Sequence, residues 1–204
     1  LGLTRIVGEG DEAVAETTPL TQMPQLLPDA NGSVHAWWLG AVPESTAASA
    51  GQRALWYSRL RVGQTTWSTP ETLAEAALAW DMAVAADGSL HLLYLRPINT
   101  ANFPSGLYYK RSTDGGATWS APSLITSSLY FRLLDADSVR LAVQAVGDEV
   151  FAAWEDPRPV RILLARSTDG GATWTPPEPL TAETGARAPQ LLPFQRLSAL
   201  YEAG

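Results

Sequence analysis

The sequence predicts an all-β chain: a β-propeller of four-stranded antiparallel blades, with three whole blades and two half-blades in 204 residues. Three observations carry that expectation. The octet Ser-Thr-Asp-Gly-Gly-Ala-Thr-Trp occurs twice, at 112–119 and 167–174, letter for letter and 55 residues apart. Tryptophan keeps the same step, with Trp67, Trp119 and Trp174 separated by 52 and 55 residues. Ahead of each lies a second similar unit, at 24–38, 81–94 and 140–154, with a partial copy at 188–201. A period of about 50 residues points to stacked or radial repeats, and four antiparallel strands per repeat describe a propeller blade.

Each element has a local reason. The units at 24–38, 81–94 and 140–154 read as strand, tight polar turn, strand (A and B), with Asn31-Gly32 and Asp87-Gly88 as two-residue hairpin signals and Gly147-Asp148 as the third turn. A variable loop follows, then strand C, the octet, strand D and a second loop. The blades are 22–74, 80–126 and 139–181, flanked by a C–D half at 1–21 and an A–B half at 188–204. The stretch 73–80, LAEAALAW, has helix propensity but is short and sits where a loop is expected.

Composition sets outer limits. Hydrophobic residues make up 46%, enough for a sizeable core, and the 16 glycines and 15 prolines suit short strands joined by turns. The net charge of -7, with no basic cluster, disfavours nucleic acid as a partner. The absence of cysteine excludes disulfides, thiol catalysis and zinc–thiolate sites. No apolar run approaches the ~18 residues of a membrane span. Starting at Leu1 without a signal peptide, the chain reads as processed or as a segment of something longer.

Within the octet, Asp-Gly-Gly is first a turn. Gly115 and Gly116 accept positive φ, and Asp114 and Ser112 accept hydrogen bonds from turn amides. Trp119 is expected to fold under the turn and fill the gap towards the following blade, so that truncating it costs about 3–5 kcal/mol. The pattern S-x-D-x-G-x-x-W resembles the Asp-box, or bacterial neuraminidase repeat. Both copies match it at every defined position: Ser112, Asp114, Gly116 and Trp119, then Ser167, Asp169, Gly171 and Trp174. A degenerate third box runs from Ser58 to Trp67, keeping Ser, Gly and Trp but not Asp. The resemblance to the Asp-box β-propellers, whose best-known members are sialidases, implies a structural octet on the face opposite any active site. It also implies an extracellular or cell-surface, bacterial protein.

On that view, ligand groups belong on the face carrying the B–C and D–A loops. The ligand-binding candidates are Arg132, Arg140, Asp156, Arg158, Arg187, Tyr130 and Asp81. Arg96, Asn99, Asn102, Phe103, Phe131, Asp135 and Asp137 share those loops. A sialidase needs three arginines, a Tyr activated by a Glu, and an Asp acid/base. No position matches that catalytic set, and Thr4-Arg5-Ile6-Val7 lacks the Pro of the family's first arginine motif. Glu155, Asp156, Arg158 and Arg161 form a loop ion-pair network or a ligand patch. His35 and His91 occupy one slot in successive B strands; since Phe151 and Ser198 follow there, they read as packing residues. No metal and no cofactor is expected.

The leading expectation is a non-catalytic surface module that binds a glycan or a protein, or serves as a structural part of a larger assembly. The rival is part of a sialidase-type (exo-alpha-sialidase) glycoside hydrolase. Further partners are the remaining blades of a longer chain or another subunit.

Overall fold

The computed structural model describes residues 24–42, 52–134, 139–157, 160–180 and 189–191, together with the backbone of two strands near the N-terminus. Those two, β1 (Gly2–Val7) and β2 (Val14–Pro19), pair antiparallel. Three four-stranded antiparallel meanders follow. The first is β3 (Gln25–Pro28), β4 (Val34–Ala41), β5 (Arg53–Leu60) and β6 (Glu71–Ala74). The second is β7 (Ala79–Val84), β8 (Leu90–Arg96), β9 (Gly106–Ser112) and β10 (Ser123–Ser127). The third is β11 (Leu141–Val146), β12 (Glu149–Pro157), β13 (Val160–Ser167) and β14 (Glu178–Pro179). Among the described residues there is a 3-10 turn at Leu129–Leu133 and no α-helix. Of the helix-prone stretch 73–80, residues 73–74 end β6, 79–80 begin β7 and 75–78 form the loop expected between them.

The sheets stack face to face. Strand β8, LHLLYLR, is buried on both faces and therefore reads as a continuous apolar run. Its Leu90, Leu92 and Tyr94 pack with Trp37, Leu39, Leu55 and Tyr57 of the first sheet. Leu93 and Leu95 point the other way, to Val150, Ala152 and Trp154 of the third. The unit 188–204 lies outside the described residues except for 189–191, where Leu191 packs against Ala142, Ala153 and Ile162.

The first two hairpins are three-residue loops, not the two-residue turns their dipeptides suggest. Asp29 N donates to Ser33 O at 2.9 Å and Gly32 N to Asp29 O at 3.1 Å; Ala85, Ser89 and Gly88 repeat both bonds. Both loops share a left-handed glycine, Gly32 or Gly88, and in the first the Asp29 side chain adds to it. Asp29 Oδ1 accepts the amides of Asn31 and Ser33, each at 2.9 Å, and Gly32 takes the left-handed third position at φ 85°. Gly147-Asp148 is the two-residue turn expected, with Val146 opposite Glu149.

In both octets the serine hydroxyl is the hub. Ser112 Oγ donates to Asp114 Oδ1 and accepts the Gly116 amide, both at 2.8 Å. Asp114 accepts the Thr118 amide at 2.9 Å and its hydroxyl at 2.7 Å. Ser167, Asp169, Gly171 and Thr173 repeat all four bonds. The tryptophans turn the opposite way from expectation. Trp119 packs edge-on against Tyr57, centroids 5.4 Å apart, and Trp174 against Tyr109 at 5.2 Å. Each thus fastens its turn to the preceding sheet, not the following one. The glycines explain the direction: a Cβ on Gly116 would lie 1.8 Å from Tyr57 Oη, and one on Gly171 1.9 Å from Tyr109 Cε1. The tyrosine ring occupies the space a side chain would need. Both tryptophans remain half-buried.

Strand register corrects the third box. Arg59, Arg111 and Arg166 stand opposite His35, His91 and Phe151. Each carbonyl accepts the amide of the residue after the box tryptophan, Ser68, Ser120 or Thr175, at 2.8 Å. In that frame Leu60, not Ser58, stands where Ser112 and Ser167 stand. The Ser58 hydroxyl instead donates to Ser68 O at 2.7 Å. The first-sheet turn therefore keeps the left-handed Gly63 and Trp67 and has lost Ser, Asp and the second glycine, now Gln64.

We expect Gly116→Ala and Gly171→Ala each to destabilise the fold by about 2–4 kcal/mol, combining overpacking with left-handed strain. Gly115→Ala, whose Cβ meets nothing within 4 Å, should cost about 1 kcal/mol. Denaturant melts of the three variants check the ordering.

Candidate functional site

Two constellations of polar side chains stand out, and one is structural. His91 is fully buried, its Nδ1 2.6 Å from Tyr109 Oη and its Nε2 2.7 Å from Ser89 Oγ. Ser89 Oγ reaches Asp87 Oδ1 at 2.6 Å, and Tyr109 Oη donates to the Gly170 carbonyl of the next box at 3.2 Å. His35 repeats the arrangement, with Tyr57 Oη 2.8 Å from Nδ1 and Asp29 Oδ2 3.4 Å from Nε2. The histidine slot thus aims a tyrosine at the following box. Burial, aided by Arg111, holds His91 down to about 4; burial also lowers His35, against the hydrogen bond its ring donates to Asp29. Among the described residues no three His, Asp or Glu side chains converge on a metal position. Asp114 and Asp169 are held well below the usual carboxylate range, Asp114 by the Thr118 amide first and Asp169 by the Thr173 hydroxyl. A carboxylate kept ionised in this way is no proton donor.

The second constellation lies at the opposite strand ends. Asp81, third residue of β7, accepts the Val143 amide of β11 at 2.8 Å, and burial raises its carboxyl above the usual range against the pull of that amide. Arg140 precedes β11; it is exposed, and its carbonyl accepts the Glu155 amide at 3.2 Å. Asp156 pairs with Arg161 at 3.2 Å. Tyr130 and Arg132 are exposed on the 3-10 turn, around a buried Phe131. Arg158, Arg187, Asp135 and Asp137 lie outside the described residues.

Register singles out one residue that sequence reasoning left inside a patch. Four positions after His35, His91 and Phe151 stand Leu39, Leu95 and Glu155. The two leucines are fully buried and Glu155 is 6% exposed. A carboxylate therefore occupies a core leucine slot of the repeat. The signal was present in the sequence, as Glu155 against two leucines, but needed the correct alignment of B strands.

No protein-family model matches the chain, and no curated protein matches it. Solved structures do. A protein of unknown function from Dyadobacter fermentans aligns at TM-score 0.52 and 18% identity, covering 82% of this chain and 54% of its own. A Penicillium chrysogenum α-L-arabinanase complexed with arabinobiose aligns at TM-score 0.53 and 15% identity, covering 91% and 56%. The chain spans about half the length of these structures. At such identities the likeness is one of fold: an all-β, propeller-like arrangement of four-stranded sheets also found in carbohydrate-active enzymes. A Hadza microbial sialidase aligns at TM-score 0.35 and 16% identity, covering 76% of this chain and 46% of its own, too low to carry argument. The Asp-box resemblance accordingly stands on the two octets and their spacing. No helix among the described residues is long and apolar enough to cross a membrane.

His91 generates a pH prediction. The unfolded imidazole binds a proton below its ordinary value of 6.5, whereas the folded one does so only near 4. Stability is therefore complete above pH 6.5 and falls as pH drops through this window, by at most about 3 kcal/mol. Urea melts at pH 7 and pH 5 should show the loss, and His91→Phe should reduce it, leaving the part of the same sign that His35 contributes.

Proposed function

We propose that the chain is a β-propeller module that binds saccharide chains through the rim carrying the B–C and D–A loops, without catalysing a reaction. Residues 22–74, 80–126 and 139–181 act as three blades, with 1–21 and 188–204 as outer and inner halves of further ones. The observation that carries this reading is Glu155: a buried carboxylate at a rim strand end where both sister sheets place leucine. A buried carboxylate in a core slot is tolerated only where polar or charged groups surround it, which marks this strand end as polar where its sisters are apolar. Asp156, Arg161, Arg140 and Asp81 stand at the same strand ends, and Arg158 and Arg187 belong to the loops that join them. Carboxylates and arginines of this kind suit the hydroxyls and acidic groups of sugars. The likeness to an arabinanase supports a carbohydrate-related role, and the octets support an extracellular or surface setting.

The second reading is part of a sialidase-type glycoside hydrolase. Asp81 favours it, because a carboxyl raised by burial is what a general acid requires. A fluorogenic sialoside separates the two: turnover that disappears in Asp81→Asn decides for the hydrolase, and none is expected.

Glu155→Leu tests the binding reading. The fold should survive, since leucine already fits the sister slots, but with a loss of about 1–3 kcal/mol from the group left unpaired, so binding is read well below the melting transition. Retardation on gels containing polysaccharide should be lost. Unchanged retardation, or none for the wild type on acidic and neutral polysaccharides, contradicts the proposal.

A further inference from the structure

Asn31-Gly32-Ser33 is the one Asn-x-Ser/Thr tripeptide in the chain, the acceptor sequence for asparagine-linked glycosylation. Asp29, two residues ahead, supplies the acidic residue that bacterial oligosaccharyltransferases also require. Three letters arise by chance in many chains; what distinguishes this copy is its place in the fold. The left-handed position that favours asparagine is taken in this loop by Gly32, so the turn does not by itself call for Asn31.

The second sheet offers a direct comparison. Its hairpin carries Asp87-Gly88-Ser89 in the same three positions, and there the side chains are tied down. Asp87 Oδ1 accepts the Ser89 amide at 2.9 Å and the Ser89 hydroxyl at 2.6 Å, and Oδ2 lies 3.5 Å from the Arg111 guanidinium. Ser89 Oγ also meets His91 Nε2 at 2.7 Å, and Ser89 is 2% exposed. In the first hairpin these tasks pass to Asp29, which accepts the Ser33 amide and meets His35 Nε2. Asp29 stands where the second hairpin has Ala85, and it releases both groups of the acceptor tripeptide. The Asn31 side-chain amide has no hydrogen bond among the described residues. The Ser33 hydroxyl accepts the Val62 amide at a long 3.4 Å. Asn31 is exposed at the tip and Ser33 partly so. Attaching a sugar to Asn31 therefore breaks no hydrogen bond of the folded state.

The surroundings suit a sugar. Val62, 64% exposed, lies beside the turn and gives the first saccharide unit an apolar surface to cover. Strand β4, eight residues long, separates this turn from the rim by about 25 Å. A glycan here stands on the box side and leaves the rim open.

We propose that Asn31 is an asparagine-linked glycosylation site, its donor a lipid-pyrophosphate-linked oligosaccharide. A bond forms between Asn31 Nδ2 and the anomeric carbon as the carbon–oxygen bond to pyrophosphate breaks. The lipid pyrophosphate leaves with the bonding electrons, and Nδ2 gives up one proton to solvent. The inference rests on the extracellular or surface setting proposed above, where such transferases meet their substrates, and not on what the rim binds.

The purified, folded chain is incubated with a bacterial and with a single-subunit eukaryotic oligosaccharyltransferase, each with its lipid-linked donor, and the peptides are mapped by mass spectrometry. One glycan should appear, on Asn31. Asn31→Gln and Ser33→Ala should abolish it while melting like wild type. Asp87→Asn writes the same tripeptide into the second hairpin, where the serine is buried. With the eukaryotic enzyme it should gain no second glycan in the folded chain, whereas a free peptide spanning 82–94 with the same change should be modified. Equal modification of both hairpins overturns the role given to Asp29. A folded chain left unmodified at Asn31, or one in which Asn31 is converted to Asp with no saccharide attached, overturns the site and leaves the rim reading untouched. Chain recovered from the exported fraction of its source cells should carry a saccharide on Asn31. Recovery inside the cells instead, without saccharide, overturns the surface setting and the proposal with it.

Discussion

The architecture depends on a tyrosine ring lying where a side chain is missing. Tyr57 and Tyr109 each fill the space above the second glycine of the next sheet's box, and the box tryptophan closes against the ring's edge. The box is internally satisfied by its serine and aspartate, so it is a rigid object before it meets its neighbour. The buried histidine on the B strand fixes the tyrosine hydroxyl. Register, turn shape and sheet stacking are thereby set by one contact, used twice. This is why Ser, Asp, two glycines and Trp travel together in the intact copies, while the first-sheet turn has lost three of the five.

The third sheet departs from this scheme in a coordinated way. Phe151 replaces the histidine and Leu164 the tyrosine, so the third sheet offers no tyrosine ring in the slot that meets a box glycine. The same sheet places Glu155 in the leucine slot. Divergence in the repeat is thus concentrated where the fastening is absent. The rim there carries Asp156, Arg161 and Arg140, while the box side of the molecule is occupied with holding sheets together.

Much of this was legible in the chain because it is local. Strand, turn and box signals act within about five residues, and the octets, the Gly147-Asp148 turn and the four-stranded meanders can all be read from spacing. What escaped is non-local. Tyr109 and Gly170 are 61 residues apart, and nothing in a C-strand tyrosine says which sheet it faces. The direction of the tryptophans was misjudged for that reason. The placing of Ser58 in the degenerate box failed because letter matching ignores register, which puts Leu60 in the serine slot. The three-residue hairpins were hidden because the left-handed Gly32 and Gly88 serve either loop length, and the Asp29 side chain adds its bonds from outside the dipeptide. Glu155 looked like one charge in a charged loop until strand pairing aligned it with Leu39 and Leu95.

The most direct test of the tyrosine–glycine contact is a double-mutant cycle between Tyr109→Leu, the residue type of the third sheet, and Gly171→Ala, read by urea unfolding. Once the ring is gone the added methyl meets open space, so the alanine should cost markedly less in the leucine background, with a coupling energy of about 1–3 kcal/mol. Strictly additive effects would mean that the ring and the glycine do not constrain each other, and the account of how the sheets are joined would be wrong.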